Sequence, residues 1–189
     1  MTDTAIISAI KEGNSKGYTM LVKRHKSRLY YFINGMVWNT MDAEDLTMIT
    51  FEKAFLKLDT WKEGSCKFST WLFTIARNTV IDFIRSNEKR LLGGEDVSKY
   101  IALHDKSYTP EEKFIHTENV LIIEKCIEKL SRRRKEIIML HVDGNKDEQI
   151  AEILNKRHQA VRSLLFNTRN QLKSLLYEEN NSFINCLIA

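Results

Sequence analysis

Proline occurs once in the 189 residues and glycine seven times, against the ordinary ~7% for glycine and ~5% for proline. So few chain breakers favour helices throughout. Cysteine is scarce as well. Cys66, Cys126 and Cys186 are scattered, odd in number and fit no C-x-x-C spacing, which points to reduced thiols in a cytoplasm. The five histidines share no ligand spacing with them, so neither a metal nor any other cofactor is expected. No apolar run approaches the ~18 residues of a membrane span. The opening "MTDTAIISAIKEGN" reads as too short and too polar for a signal peptide. Also missing are an activated nucleophile, a metal cluster and a phosphate loop, which argues against an enzyme.

Hydrophobic residues at 43% and charged residues at 29% describe a folded chain, and a net charge of +4 permits nucleic-acid binding without demanding it. Tyr18, Leu21, Val22, His25, Leu29, Phe32, Ile33 and Met36 recur at helical spacing and form one face of a long helix. Asn39 and Thr40 interrupt it. Asp42 is the expected N-cap of the next helix, with a Met41–Leu46 staple across its start. There Phe51, Ala54, Phe55 and Leu58 form the inward stripe, and Asp45, Met48 and Glu52 share another face. "TWKEGS" is a loop turning at Gly64.

The segment "KFSTWLFTIARNTVIDFIRS", residues 67 to 86, reads as a third helix capped by Ser69, with a Phe68–Phe73 staple. Leu72, Ile75, Ala76, Thr79 and Phe83 point inward. Thr70, Thr74, Arg77, Asn78, Ile81 and Arg85 fall on a different side, which continues into Lys89 and Arg90. Asn is a mediocre helix former, so Asn78 beside Arg77 in mid-helix suggests a polar partner. Trp71 reads as core, and Asp82 as a local partner of Arg85 or Asn78.

From 86 to about 113 the helical period lapses around a Gly-Gly pair and Pro110, which is expected to open the next helix. The expected organisation is therefore two helical domains, residues 1–88 and 113–189, joined by a linker at 89–112. In the second, Val120, Ile123, Ile127 and Leu130 form a stripe, and Ser131 caps "RRRKEIIMLHV". The arginine triplet suits either a solvated helix start or phosphate contacts. After a turn at Gly144–Asn145, Ile150, Ala151 and Leu154 mark a short helix. "NKR" makes a tight turn, and Val161, Leu165, Thr168 and Leu172 mark the core face of a second helix. That is a helix-turn-helix pattern, presenting Gln159, Arg162, Ser163 and Asn167 outward.

"DAEDLTMITFEKAF", then "FSTWLFTIARNTVIDFIR", then a linker and a helix-turn-helix together resemble a bacterial RNA polymerase sigma factor of the extracytoplasmic-function group, over about residues 14 to 176. The resemblance implies an all-α protein that binds core RNA polymerase and promoter DNA. It implies polymerase docking through Asp45, Met48 and Glu52, and capture of a flipped −10 base by the loop from Lys62 through Lys67 to Phe68. Arg77, Asn78 and Arg85 would meet the melted strand, and Gln159, Arg162, Ser163 and Asn167 the −35 element. An anti-sigma factor is the further partner that the resemblance implies. Trp61 and Phe68 are the aromatic rings expected to stack on bases. Met48 stands where the family usually has Gln, Ile49 where an acidic residue is common, Lys156 where the turn is usually apolar, and Leu164 where Arg is frequent. The competing reading is a stand-alone helix-turn-helix regulator, which accounts for residues 120 to 176 but leaves "DAEDL" and "ARN" unexplained.

Overall fold

A computed structural model describes the backbone of residues 1–92 and 118–188, and the side chains of 1–88 and 122–179. The expected linker core, Pro110 and the side chains of Lys89, Arg90 and Val120 lie outside the described residues. The described residues form helices α1 (Asp3–Lys11), α2 (Lys16–Val37), α3 (Thr40–Leu56), α4 (Phe68–Leu92), α5 (Glu118–Glu128), α6 (Arg132–Val142), α7 (Asp147–Leu154) and α8 (His158–Ile188), with no strand among them. The all-α expectation holds. The chain divides into two compact units, the first carrying α1 to α4, the second α5, α6, α8 and the start of α7 through Ala151.

In the first unit α1 was not anticipated. Thr2 caps it by accepting a hydrogen bond from the Ala5 amide, and Ile6, Ile7 and Ile10 are buried. Three isoleucines in nine residues give a stripe too short to separate from a polar tail by pattern alone. α2 buries Leu21, His25, Leu29, Phe32, Ile33 and Met36, the face its spacing predicted. It ends at Trp38, whose backbone is left-handed (φ 57°) and whose amide bonds the Asn34 carbonyl at 2.8 Å. This termination places Asn39, not Asp42, at the next N-cap: the Asn39 side chain accepts from the Asp42 amide at 2.9 Å. Met41 is 71% exposed, so the expected staple with Leu46 is not formed.

α3 packs on α2 and α4, and α4 also packs on α2. The buried hydroxyls of Thr47 and Thr50 donate to the carbonyls four residues back, at 2.6 and 2.7 Å, so these polar groups enter the core satisfied. Phe32 of α2 and Phe73 of α4 meet edge to face with centroids 5.4 Å apart. α4 begins at Phe68, so Ser69 lies inside its first turn and is not its cap. The helix runs on to Leu92, past the expected boundary at residue 88. It buries Phe68, Leu72, Phe73, Ala76, Thr79 and Val80, whereas Ile75 and Phe83, expected to point inward, are only half-buried. Thr70 is buried as well, which moves it off the expected polar side.

In the second unit Ser131 precedes α6 in extended conformation, and its carbonyl accepts from Arg134 at 2.8 Å, while its side chain makes no cap bond. Ile137, Ile138 and Leu140 are buried. Gly144 (φ 84°) and a buried Asn145, whose amide group donates to the Leu140 carbonyl at 2.9 Å, close the expected turn. α7 ends at Asn155 in the left-handed region (φ 49°), where Asn is better tolerated than most residues. α8 packs on α5 and α6 and buries Val161, Leu165 and Thr168. Arg134 donates to Gln171 of α8, and Lys129, just past the end of α5, pairs with Glu179, so the long helix is held along much of its length.

Candidate protein and nucleic-acid interfaces

Three surfaces carry the residues singled out from the sequence. The first is the outer face of α3. Asp45, Met48 and Glu52 are exposed there together, Met48 at 56%, and Met41 and Leu56 extend the face at either end. Val22, Asp45, Met48, Ile49, Phe51, Glu52 and Phe55 line a shallow groove along it. Apolar side chains alternating with carboxylates form a surface suited to a protein partner that offers apolar and basic groups. Next to it, burial together with the Asp45 charge raises the Asp42 carboxyl above the usual carboxylate range.

The second surface is the loop before α4 with the outer side of that helix. Lys62 and Lys67 are exposed. Gly64 supplies the turn (φ 85°), and the Ser65 hydroxyl donates to the Lys62 carbonyl at 2.6 Å. Trp61 and Phe68 bracket the loop but do not face solvent: they are only 6% and 2% exposed. Their rings meet perpendicularly, with centroids 5.9 Å apart, and the Trp61 indole N–H donates to the Cys66 carbonyl at 3.3 Å. This corrects the expectation that they stack on bases. Both rings anchor the loop instead. On α4, Arg77 is half-buried and Asn78 exposed, while Arg85 reaches Asp82 at 3.8 Å, the local pairing expected of Asp82. Trp71 is half-buried against Phe68.

A partly buried cluster supports the loop from behind. His25 Nε2 lies 3.0 Å from an Asp3 carboxylate oxygen, and Arg24 donates to the other at 2.6 Å. The imidazole edge packs on Phe68 at 5.5 Å. Burial lowers the His25 pKa below its ordinary 6.5, with Asp3 pulling it the other way. Nothing in the sequence pattern distinguishes this histidine from its apolar neighbours, because the signal lies in Asp3, 22 residues earlier.

The remaining surface is α8. Gln159, Arg162, Ser163 and Asn167 are all exposed along one side, opposite buried Val161, Leu165 and Thr168. The Ser163 hydroxyl donates back to the Gln159 carbonyl at 3.1 Å. Phe166, 64% exposed on the same side, was missed by the sequence reading, which had no reason to leave an aromatic ring in solvent. Arg169 is held against His141 Nε2 at 2.5 Å. Of the arginine triplet, Arg132 and Arg133 are exposed, whereas Arg134 is engaged with Gln171. No grouping of His, Cys, Asp and Glu able to hold a metal occurs among the described residues.

Residues 21–90 match region 2 of the sigma-70 family, and residues 121–172 match its region 4. The chain is similar to the ECF RNA polymerase sigma factor SigW of Bacillus subtilis, 28% identical over 177 residues, covering 90% of this chain and 94% of that protein. It is 27% identical over 181 residues to an ECF RNA polymerase sigma-E factor of Haemophilus influenzae, covering 92% of this chain and 95% of that one. Among solved structures it resembles the sigma factor RpoE in complex with the anti-sigma factor NepR from Bartonella quintana. The identity there is 26%, the TM-score 0.69, and the match covers 86% of this chain and 98% of that one. The fold is also that of CnrH in complex with the cytosolic domain of CnrY, with 20% identity, a TM-score of 0.67, and coverage of 93% of this chain and 97% of that one.

Proposed function

The chain belongs to the sigma-70 family, in its extracytoplasmic-function group, and from this we propose that it binds core RNA polymerase and directs promoter-specific transcription initiation. The observation that carries this reading is the presence of the two family regions in order along one chain. A stand-alone helix-turn-helix regulator has no use for the first.

The work divides between the surfaces. The face of Asp45, Met48 and Glu52 docks on the polymerase, its carboxylates steering and its exposed Met48 burying apolar area. Lys62, Lys67, Arg77, Asn78 and Arg85 hold the −10 strand: the cations meet phosphates, and the Asn78 carboxamide, both donor and acceptor, pairs with a base edge. The loop keeps its shape because Trp61 and Phe68 fix its two ends. Gln159, Arg162, Ser163 and Asn167 read the −35 element in the major groove, and Phe166 adds an apolar contact of the kind that suits a thymine methyl.

We further propose the domain limits 1–88, 89–112 and 113–189, with the middle segment joining the two functions. The protein contributes binding energy to DNA opening, and phosphoryl transfer stays with the polymerase. It works in the cytoplasm, where polymerase and DNA are. RpoE was solved with an anti-sigma factor, which supports an inhibitor of that kind for this chain. The deciding experiment is run-off transcription on genomic fragments with core polymerase, with and without this protein. Defined start sites that appear only when it is added are the expected result. Duplex promoter binding without polymerase, and no new transcripts with it, is the signature of a stand-alone regulator and overturns the reading.

A further inference from the structure

Melting a duplex leaves unpaired bases in need of flat apolar surfaces, and aromatic rings supply these whatever the sequence. With Trp61 and Phe68 buried, the first unit must find such a ring elsewhere. Among its described residues one aromatic side chain stands well clear in solvent. Tyr31 of α2 is 66% exposed, whereas Tyr18, Tyr30, Phe55 and Trp71 are half-buried. Tyr30 braces it edge to face, with centroids 5.6 Å apart at 69°.

The position of Tyr31 follows from two contacts. It lies one helical turn beyond Arg28, whose guanidinium sits 5.9 Å from the centre of the Phe73 ring on α4. Phe73 in turn lies one turn before Arg77. Tyr31 therefore stands beside the α2–α4 seam, within about two turns of Arg77. The helix that carries it has charge of a single sign. Between Lys16 and Val37, α2 carries Lys16, Lys23, Arg24, Lys26 and Arg28 and no Asp or Glu. Arg24 is engaged by Asp3, while Lys23 and Ser27 are exposed two turns and one turn before Tyr31. An exposed ring among cations, without a carboxylate on its helix, has the make-up of a single-strand platform.

We propose that Tyr31 stacks on an unpaired base of the melted promoter strand, whose phosphates run along the cations of α2 and Arg77. This rests on the sigma reading of the first unit and adds a contact that the −10 residues above do not include. The bound group is single-stranded DNA.

To test it, wild type, Tyr31→Ala, Tyr31→Phe and Tyr31→Trp are each assembled with core polymerase. The template is a promoter that the wild-type holoenzyme selects from a random duplex library. Open-complex formation is measured on it as duplex and as a pre-melted bubble, with 2-aminopurine at successive positions of the non-template strand. Tyr31→Ala is expected to weaken opening by about 5- to 150-fold, the range of one lost stacking contact. It should relieve quenching at one position only and leave core binding and the melting temperature unchanged. Phe and Trp should restore both signals. Unchanged opening by Tyr31→Ala overturns the proposal, as does a defect in Tyr31→Phe equal to that of Ala. Weaker core binding by Tyr31→Ala overturns it too and makes the ring a polymerase contact. A wild-type holoenzyme that initiates nowhere overturns the sigma reading, and this proposal with it.

Discussion

Asn78 is exposed while the residues around it are core. Ala76 and Val80 on either side are essentially inaccessible, so the α4 backbone beneath the carboxamide is held by packing and not by Asn78 itself. Asn78→Ala should therefore leave folding and polymerase affinity almost unchanged yet impair opening of duplex promoters, with only partial recovery on a bubble template. Open-complex assays on the two templates check this, and normal duplex opening would return Asn78 to a purely structural role. His25 makes the opposite kind of prediction. Its neutral form is favoured by burial, so between its lowered pKa and 6.5 the folded chain binds fewer protons than the unfolded one. The contribution to stability is complete above 6.5 and is lost as pH falls below it. Urea midpoints measured from pH 8 down to 5 should show this loss, and His25→Phe should make it shallower.

Helices meet closely where a side chain is missing. A Cβ on Gly17 would lie 2.4 Å from Ile10 Cγ1 and 3.2 Å from the Ile6 carbonyl, so α1 can approach α2 only because position 17 is glycine. Gly17→Ala gains up to about 1 kcal/mol of helix propensity, but overpacking a buried crossing costs about 1–3 kcal/mol. The contact is short enough for the steric cost to win. Denaturant unfolding should show a net loss of about 1–2 kcal/mol. In an Ile10→Ala background, where the obstructing Cγ1 is gone, the penalty should shrink or reverse.

Each unit has its own core. Leu21, Leu29, Phe32, Phe51, Leu72 and Phe73 are fully buried or nearly so in the first, and Ile137, Leu140, Val161 and Leu165 in the second. Separate cores predict separate folding. Fragments 1–92 and 113–189 should each unfold cooperatively when expressed alone. Fragment 113–189 should retain duplex −35 binding, with an affinity that falls linearly in log–log terms with salt as phosphate counterions are released. Circular dichroism melts and a salt titration of binding measure both. A fragment that stays unfolded alone would refute independent folding, and salt-insensitive binding would refute the phosphate contacts.

Periodicity by itself determined which faces of α2 and α8 are buried, because a stripe recurring every three to four residues over many turns has only one way to leave water. It also placed Asp45, Met48 and Glu52, and likewise Gln159, Arg162, Ser163 and Asn167, on shared exposed faces, since helical spacing alone decides that. What only the tertiary structure decided depends on neighbours distant in sequence. Asn39 and Asp42 are both good cap residues, and the left-handed turn at Trp38 selected the first. Trp61, Phe68, Trp71 and Tyr31 are all aromatic, yet they meet different fates. The contacts of Phe68 with His25, Trp61 and Trp71 took two of them fully into the core and left a third half-covered, while Tyr31, with no core position to fill, stayed outside. A ring's apolarity is written in the sequence, but its exposure is set by whether the rest of the fold has room to cover it.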